Sequence, residues 1–179
     1  MKNLSLKKFI VKKNKKKIFT PSPSFPIENL YGLSSNFSRG DLDFELQYKR
    51  VMNKIKKLSG SKNLVSAQGP ASLAIEIGLF NFVKGNVLVV STGFYSDRLY
   101  SILKMSKKRY GYIKKLEKLE YEDLNKVKKK YNWICACYTE TSKGFKIDLK
   151  KLKKISKKSY SNLFIDATAS IGIEDNHNL

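Results

Sequence analysis

Arginine is scarce in this 179-residue chain, although the formal net charge is +21. Among 36 basic residues the only arginines are Arg39, Arg50, Arg98 and Arg109, and lysines are spread along almost every segment with helical periodicity. Proteins that read nucleic acids favour arginine, because its planar fork makes paired hydrogen bonds to bases and phosphates. We therefore do not expect a nucleic-acid partner. If the chain did bind nucleic acid, the lysine run at residues 12–17 would be the site.

Cysteine and histidine are also rare. Cys135, Cys137 and His177 are too few to complete the usual four-ligand zinc site. The cysteines lie two residues apart in an apolar run, so in a strand both would point to the same face of a sheet. We interpret them as small buried apolar residues rather than as a metal-binding or redox pair.

Long apolar runs are missing as well, which argues against a membrane partner. The apolar residues 9–11 are too few for the core of a signal peptide, so we expect a cytoplasmic protein. A hydrophobic content of 41%, with ten Tyr and ten Phe, is typical of a folded chain rather than a disordered one. We divide the chain into a basic N-terminal arm, residues 1–19, and one domain, residues 20–179.

Short apolar runs alternate with amphipathic segments along the domain. This order is typical of an α/β fold, in which a mainly parallel sheet lies between two layers of helices. We predict helices at 41–59, 73–82, 94–105, 121–131 and 149–157, and strands at 63–67, 87–90, 109–113, 133–138 and 162–166.

Asp166 ends the last of these apolar runs and precedes a turn of small residues. Ligands of open α/β sheets bind beyond the carboxyl ends of the strands, so a carboxylate at this position faces a binding site. The alternative is that Asp166 caps a following helix.

Three more predicted strand ends carry polar or aromatic residues. Ala71 and Ser72 lie where a turn meets a helix N-terminus, which attracts anions such as phosphate, although Ser72 would also suit a helix cap. Tyr95 would lie over a flat heteroaromatic ligand or pack in the core. Thr141 and Ser142 supply hydroxyl groups in another loop at the same edge, or form a simple turn.

Several segments together resemble a known family. They are Thr20-Pro21-Ser22-Pro23 and the stretches 38–44, 68–76, 92–98, 140–144 and 164–172, the last containing Phe164-Ile165-Asp166-Ala167. In this order and spacing they resemble the large domain of fold-type I pyridoxal-phosphate enzymes of the class V aminotransferase group, and most of all the 2-aminoethylphosphonate:pyruvate transaminases.

The resemblance implies a role for each candidate residue. Ala71 and Ser72 would hold the phosphate of pyridoxal 5'-phosphate, Tyr95 would stack on the ring, and Thr141 or Ser142 would bond the ring hydroxyl. Asp166 would pair with the pyridine nitrogen and keep it protonated, which makes the ring an electron sink. Arg39 would lie at the mouth of the site and bind a phosphonate or carboxylate, or else pair with acidic residues of the following helix.

The chain also departs from the family. The Schiff-base lysine of the family follows the aspartate at a distance that lies beyond Leu179, as does the small domain. We therefore expect an N-terminal fragment, a split gene product or a remnant, inactive alone and without a covalent hold on the cofactor. The complete enzyme would be a homodimer that transfers an amino group from a small amine to a 2-oxo acid. The alternatives are an alanine- or serine-glyoxylate aminotransferase, a cysteine desulfurase relative, or a non-catalytic binding domain with the same fold.

Overall fold

The computed structural model describes residues 38, 40–127 and 130–173. The chain divides into two units, residues 1–50 and 51–179, and the boundary falls within the first helix. The predicted N-terminal arm and Arg39 both lie outside the described residues. In the part that the structure describes, no helix is both long enough and apolar enough to cross a membrane.

The described residues form four α-helices, six strands and one short 3₁₀ helix. Helix α1 begins after Asp41, whose side chain accepts the backbone N–H of Asp43, and helix α4 is capped by Asp148 in the same way. In chain order the elements are α1 (Leu42–Ser59), α2 (Ala71–Phe82), β1 (Gly85–Ser91), α3 (Phe94–Tyr110), β2 (Ile113–Glu120), the 3₁₀ helix (Tyr121–Lys126), β3 (Trp133–Cys137), β4 (Thr139–Glu140), β5 (Phe145–Lys146), α4 (Leu149–Ser159) and β6 (Asn162–Asp166).

Four strands form one parallel sheet in the order β2-β1-β3-β6. The register places Val89 beside Cys135 and Cys135 beside Phe164, so the buried strands β1 and β3 occupy the middle. Strands β4 and β5 form a separate antiparallel pair. The predicted α/β fold with a mainly parallel sheet is confirmed.

Apolar side chains fill both faces of this sheet. Leu79 of α2 and Leu103 of α3 pack with Val89 on one face, while Leu124 of the 3₁₀ helix and Leu152 of α4 belong to the cluster on the other. The sheet therefore lies between two helical layers, as predicted. Burying this much aliphatic surface is the main source of stability for such a domain.

The cysteines are free thiols, and both are buried in β3. Burial raises the pKa of the Cys135 thiol far above its ordinary value, because the thiolate would lose its hydration there. Their interpretation as small buried residues is confirmed.

Three sequence predictions were wrong. Of the strand expected at 109–113, residues 109–110 are the end of α3 and 111–112 are a connection, and the real strand, β2, begins at Ile113. Strand β2 was missed because its sequence is rich in lysine and glutamate, which an edge strand tolerates on its exposed side. Residues 63–67 form no strand, and the helix expected at 121–131 is a 3₁₀ helix that ends at Lys126.

Candidate functional site

The carboxyl edge of the sheet brings together the N-terminus of α2 and the end of β6. Helix α2 packs directly on β6, and a Cβ atom on Gly78 would lie 2.8 Å from the Phe164 ring. Ser72 precedes Gly78 by roughly 9 Å along the helix, and Asp166 follows Phe164 by roughly 7 Å along the strand. Because α2 leads back to the start of β1, both displacements run toward the same edge.

The first turn of α2 leaves hydrogen-bond donors available. Pro70 occupies the N-cap position without a side-chain cap, so the alternative that Ser72 is the cap is wrong. The Leu73 N–H donates to the Pro70 carbonyl at 2.9 Å. Among the described residues, the backbone N–H groups of Ala71 and Ser72 and the Ser72 hydroxyl have no hydrogen-bond partner. These donors and the helix dipole suit an anion.

Asp166 is buried, with 7% of its surface exposed. Its Oδ1 atom accepts the Thr168 N–H at 3.0 Å and the Thr168 hydroxyl at 2.6 Å. Residues 167–173 form turns rather than a helix, so Asp166 is not a helix cap. Within the described ranges no group hydrogen-bonds to Oδ2, which leaves one carboxylate oxygen available to a ligand.

Cys137 lies beside Asp166 in the register of β3 and β6. Strand alternation places both side chains on the sheet face that carries α2 and α3. Burial, together with the negative charges of Asp166 and Glu140, raises the pKa of the Cys137 thiol to about 12, although its hydrogen bond to the Thr139 carbonyl acts in the opposite direction. The thiol is therefore neutral, and two carboxylates flank it at this edge.

Glu140 is a site residue to which the sequence analysis gave no role. It is fully buried, and its carboxylate accepts the N–H groups of Tyr95 at 3.1 Å, Ser96 at 3.1 Å and Ser142 at 3.3 Å, as well as the Ser142 hydroxyl. The Ser142 hydroxyl also accepts the Phe94 N–H at 3.2 Å. Glu140 thus joins the N-terminus of α3 to the loop after β3. A related signal was present in the sequence, because Glu140 comes two residues after the apolar run 133–138, whereas Asp166 ends its own run.

These donors also set the ionisation of Glu140. Burial acts to raise the pKa of this carboxyl, but the hydrogen bonds from the Ser142 hydroxyl and from the backbone N–H groups outweigh it, so the pKa lies below its ordinary value. The carboxylate is therefore ionised at neutral pH and compensates the positive end of the α3 dipole.

Gly93 makes this contact possible. Its backbone adopts φ 155° and ψ −155°, a region that side-chain-bearing residues rarely occupy. A Cβ atom there would lie 2.8 Å from Glu140 Cγ and 2.9 Å from Ser142 Oγ. Only glycine lets the two loops approach this closely.

Tyr95 and Thr141 present free groups beside this joint. Tyr95 is exposed rather than buried in the core, and its ring meets the Phe94 ring edge-to-face at 5.3 Å. The single Ser142 proton is donated to Glu140. Thr141 is exposed, and its hydroxyl has no partner among the residues that the structure describes. Of the two hydroxyl residues, Thr141 is therefore the one free to donate to a ligand.

The donor set at this edge fits a phosphorylated pyridine. It offers uncapped helix N–H groups at α2, an exposed aromatic ring at α3 and an available carboxylate oxygen on Asp166. The buried Thr92 hydroxyl at the end of β1 adds a polar group without a hydrogen-bond partner in the described part of the chain.

No family model and no curated protein matches the chain. Solved aminotransferase structures share its fold. It is similar to pyridoxamine-pyruvate aminotransferase from Mesorhizobium loti, with a TM-score of 0.74 and 22% identity over 88% of this chain. It is also similar to alanine–glyoxylate aminotransferase from Nostoc sp., with a TM-score of 0.70 and 17% identity over 86% of the chain, and to ureidoglycine-glyoxylate aminotransferase from Bacillus subtilis, with a TM-score of 0.63 and 20% identity over 83%.

These likenesses show that the chain shares the fold of these aminotransferase structures. The chain spans about two fifths of each structure, covering 42%, 43% and 41% of their lengths.

Proposed function

We propose that this chain is the cofactor-binding part of a pyridoxal-phosphate-dependent aminotransferase that moves an amino group from a small amine to a 2-oxo acid. The observation that carries the proposal is the buried Asp166 carboxylate, which keeps one oxygen without a hydrogen-bond partner in the described part of the chain. A buried carboxylate with spare acceptor capacity suits a cationic N–H donor such as a protonated pyridine nitrogen.

Each residue of the edge has a defined part in this function. The first turn of α2, at Ala71 and Ser72, binds the phosphate, and Tyr95 covers one face of the ring. Thr141 donates its hydroxyl proton to the ring oxygen, and Asp166 holds a proton on the ring nitrogen. When bound, the cofactor supplies the electron sink that stabilises negative charge on the substrate carbon.

As the amino donor we propose 2-aminoethylphosphonate, with pyruvate as the acceptor. The support is the resemblance of residues 38–44 to the phosphonate transaminases, and it assigns the phosphonate to Arg39. The second candidate, an amino-acid donor with glyoxylate as acceptor, is supported by the names of two similar structures. We expect the complete enzyme to work as a homodimer, as in the family that the sequence resembles.

Pyridoxamine 5'-phosphate is the probe that tests cofactor binding. Because it carries an amine instead of an aldehyde, it does not react with the many surface lysines. Titration of the purified chain, followed by calorimetry, is expected to show one saturable site. Pyridoxamine without the phosphate is expected to bind more than tenfold more weakly, because it lacks the charge-assisted hydrogen bonds that the phosphate makes to the first turn of α2. Equal binding of both probes, or no saturable binding of either, would contradict the proposal.

The donor is tested with the chain loaded with pyridoxal 5'-phosphate. The change in cofactor absorbance is titrated with 2-aminoethylphosphonate and with alanine, in the chain and in an Arg39→Lys variant. The half-saturating concentration is expected to be lower for 2-aminoethylphosphonate than for alanine. In the Arg39→Lys variant only the half-saturating concentration of the phosphonate is expected to rise. Reaction of surface lysines is common to all four titrations. A lower half-saturating concentration for alanine would favour the glyoxylate-type alternative.

A further inference from the structure

The loop after β3 carries a buried negative charge that no cation neutralises within the described part of the chain. Glu140 has no exposed surface, and it is bound instead by three N–H groups and one hydroxyl. An ionised carboxylate is costly to bury unless such donors replace its hydration. Four converging donors therefore indicate a residue whose geometry is closely fixed.

The donors come from the two loops that hold the candidate ring contacts. The Tyr95 N–H reaches both carboxylate oxygens, at 3.1 and 3.3 Å, so the backbone that carries the exposed Tyr95 ring rests on Glu140. On the other side the Ser142 N–H and hydroxyl both bind Oε1, and Thr141 is the residue between Glu140 and Ser142. Movement of Glu140 would shift both ring contacts at once.

We propose that Glu140 is a positioning residue for the cofactor ring, which sets the spacing between the Tyr95 ring and the Thr141 hydroxyl without touching the ligand. This inference rests on the proposed function. It separates the site into two parts that respond to different changes. The phosphate-binding turn of α2 makes no hydrogen bond to Glu140, whereas both ring-contacting loops depend on it.

Glu140→Gln is the variant that tests the role. Glutamine keeps the size of the side chain, but its NH₂ group faces N–H and O–H donors and cannot accept from them. Glu122→Gln is the matched control, because Glu122 is exposed and loses the same charge. Two dissociation constants are measured in each chain. One is that of pyridoxamine 5'-phosphate, and the other is the inhibition constant of inorganic phosphate competing with it.

In Glu140→Gln the affinity for pyridoxamine 5'-phosphate is expected to fall about tenfold, while the inhibition constant of phosphate stays the same. Hydrogen exchange at the Tyr95 and Ser96 amides is expected to become faster, since the charged carboxylate with two acceptor oxygens is replaced by a neutral amide with one. Glu122→Gln is expected to match the wild-type chain in all three measurements. Equal weakening of both ligands would show a general structural role instead and would overturn the proposal.

The remaining outcomes are also decisive. If the wild-type chain binds pyridoxamine 5'-phosphate and Glu140→Gln binds it equally well, only the positioning role fails. If the wild-type chain does not bind the probe, the proposed function fails and the role fails with it. Should Glu140→Gln not fold, Ser142→Ala removes one of the four donors and keeps the charge. It is expected to weaken the probe about twofold without changing the phosphate constant.

Discussion

Strands β4 and β6 end in the buried carboxylates Glu140 and Asp166, which lie at the same edge of the sheet but differ in their hydrogen bonds. Glu140 receives hydrogen bonds from four donors, which occupy both of its oxygens. Asp166 receives two, both on Oδ1 and both from Thr168. A buried acid near the end of a strand is therefore not necessarily a ligand contact. The distribution of donors decides whether the carboxylate supports the protein or remains available.

Gly93→Ala is expected to have the largest effect, because it acts on the occupied carboxylate. The added Cβ would lie within 3 Å of Glu140 and Ser142 atoms in an unfavourable backbone region. Strain and overpacking together are expected to lower the free energy of unfolding by about 2–4 kcal/mol. Chemical denaturation measures this loss. Gly111→Ala, where nothing lies within 4 Å of the added carbon, is the control. A loss no larger than that of the control would contradict the close joint.

Asp166→Asn is expected to lower the affinity for the ligand rather than the free energy of unfolding. Asparagine can still accept the Thr168 donors through its oxygen, so the free energy of unfolding is expected to change little. Affinity for pyridoxamine 5'-phosphate is expected to fall by about 1.5–3 kcal/mol, because the amide carries no charge for the ring nitrogen. Titration calorimetry and denaturation are measured on the same preparation. A stability loss without an affinity loss would show that Asp166 supports the fold and does not contact the ligand.

The neighbouring residues Thr141 and Ser142 show the same contrast, because one hydroxyl is free and the other donates to Glu140. Thr141→Val is expected to weaken pyridoxamine 5'-phosphate by about 1 kcal/mol with unchanged stability. Ser142→Ala is expected to lower the free energy of unfolding by about 1 kcal/mol and to affect binding less than Thr141→Val does, because its proton is donated to Glu140. The reverse pattern would assign the ring oxygen to Ser142.

Acid titration is expected to give the smallest difference. Because the folded state lowers the pKa of Glu140, this carboxyl stabilises the protein above its unfolded-state pKa, near 4.5, and loses that contribution as pH falls through the folded value. In Glu140→Gln the free energy of unfolding is expected to decrease less as the pH falls, because this carboxyl is absent. The free energy of unfolding is measured for both chains at pH values above and below 4.5. Parallel curves would contradict a lowered pKa.

Sequence alone predicted the parts of the fold that periodicity controls. Strands β1 and β3 are apolar runs buried on both faces, and β6 is a half-buried apolar run, so their type and place could be read directly. Strand β2 could not, because an edge strand rich in lysine and glutamate carries no such run. The sequence also could not show that Asp166 keeps one carboxylate oxygen available while both oxygens of Glu140 accept hydrogen bonds. Both acids lie at or just after the end of an apolar run, and only the folded positions of Thr168, Tyr95 and Ser96 distinguish their roles.

The role of Asp166 is tested most directly by the protonation state of the ring nitrogen. Pyridoxamine 5'-phosphate labelled with ¹⁵N in the ring is bound to the wild-type chain and to Asp166→Asn, and the ¹⁵N chemical shift is followed with pH. We predict that the wild-type chain keeps the nitrogen protonated to a higher pH than free ligand does, because the Asp166 carboxylate stabilises the pyridinium. Asp166→Asn is predicted to lose this stabilisation. A nitrogen that titrates alike in both chains would show that Asp166 does not hold the ring.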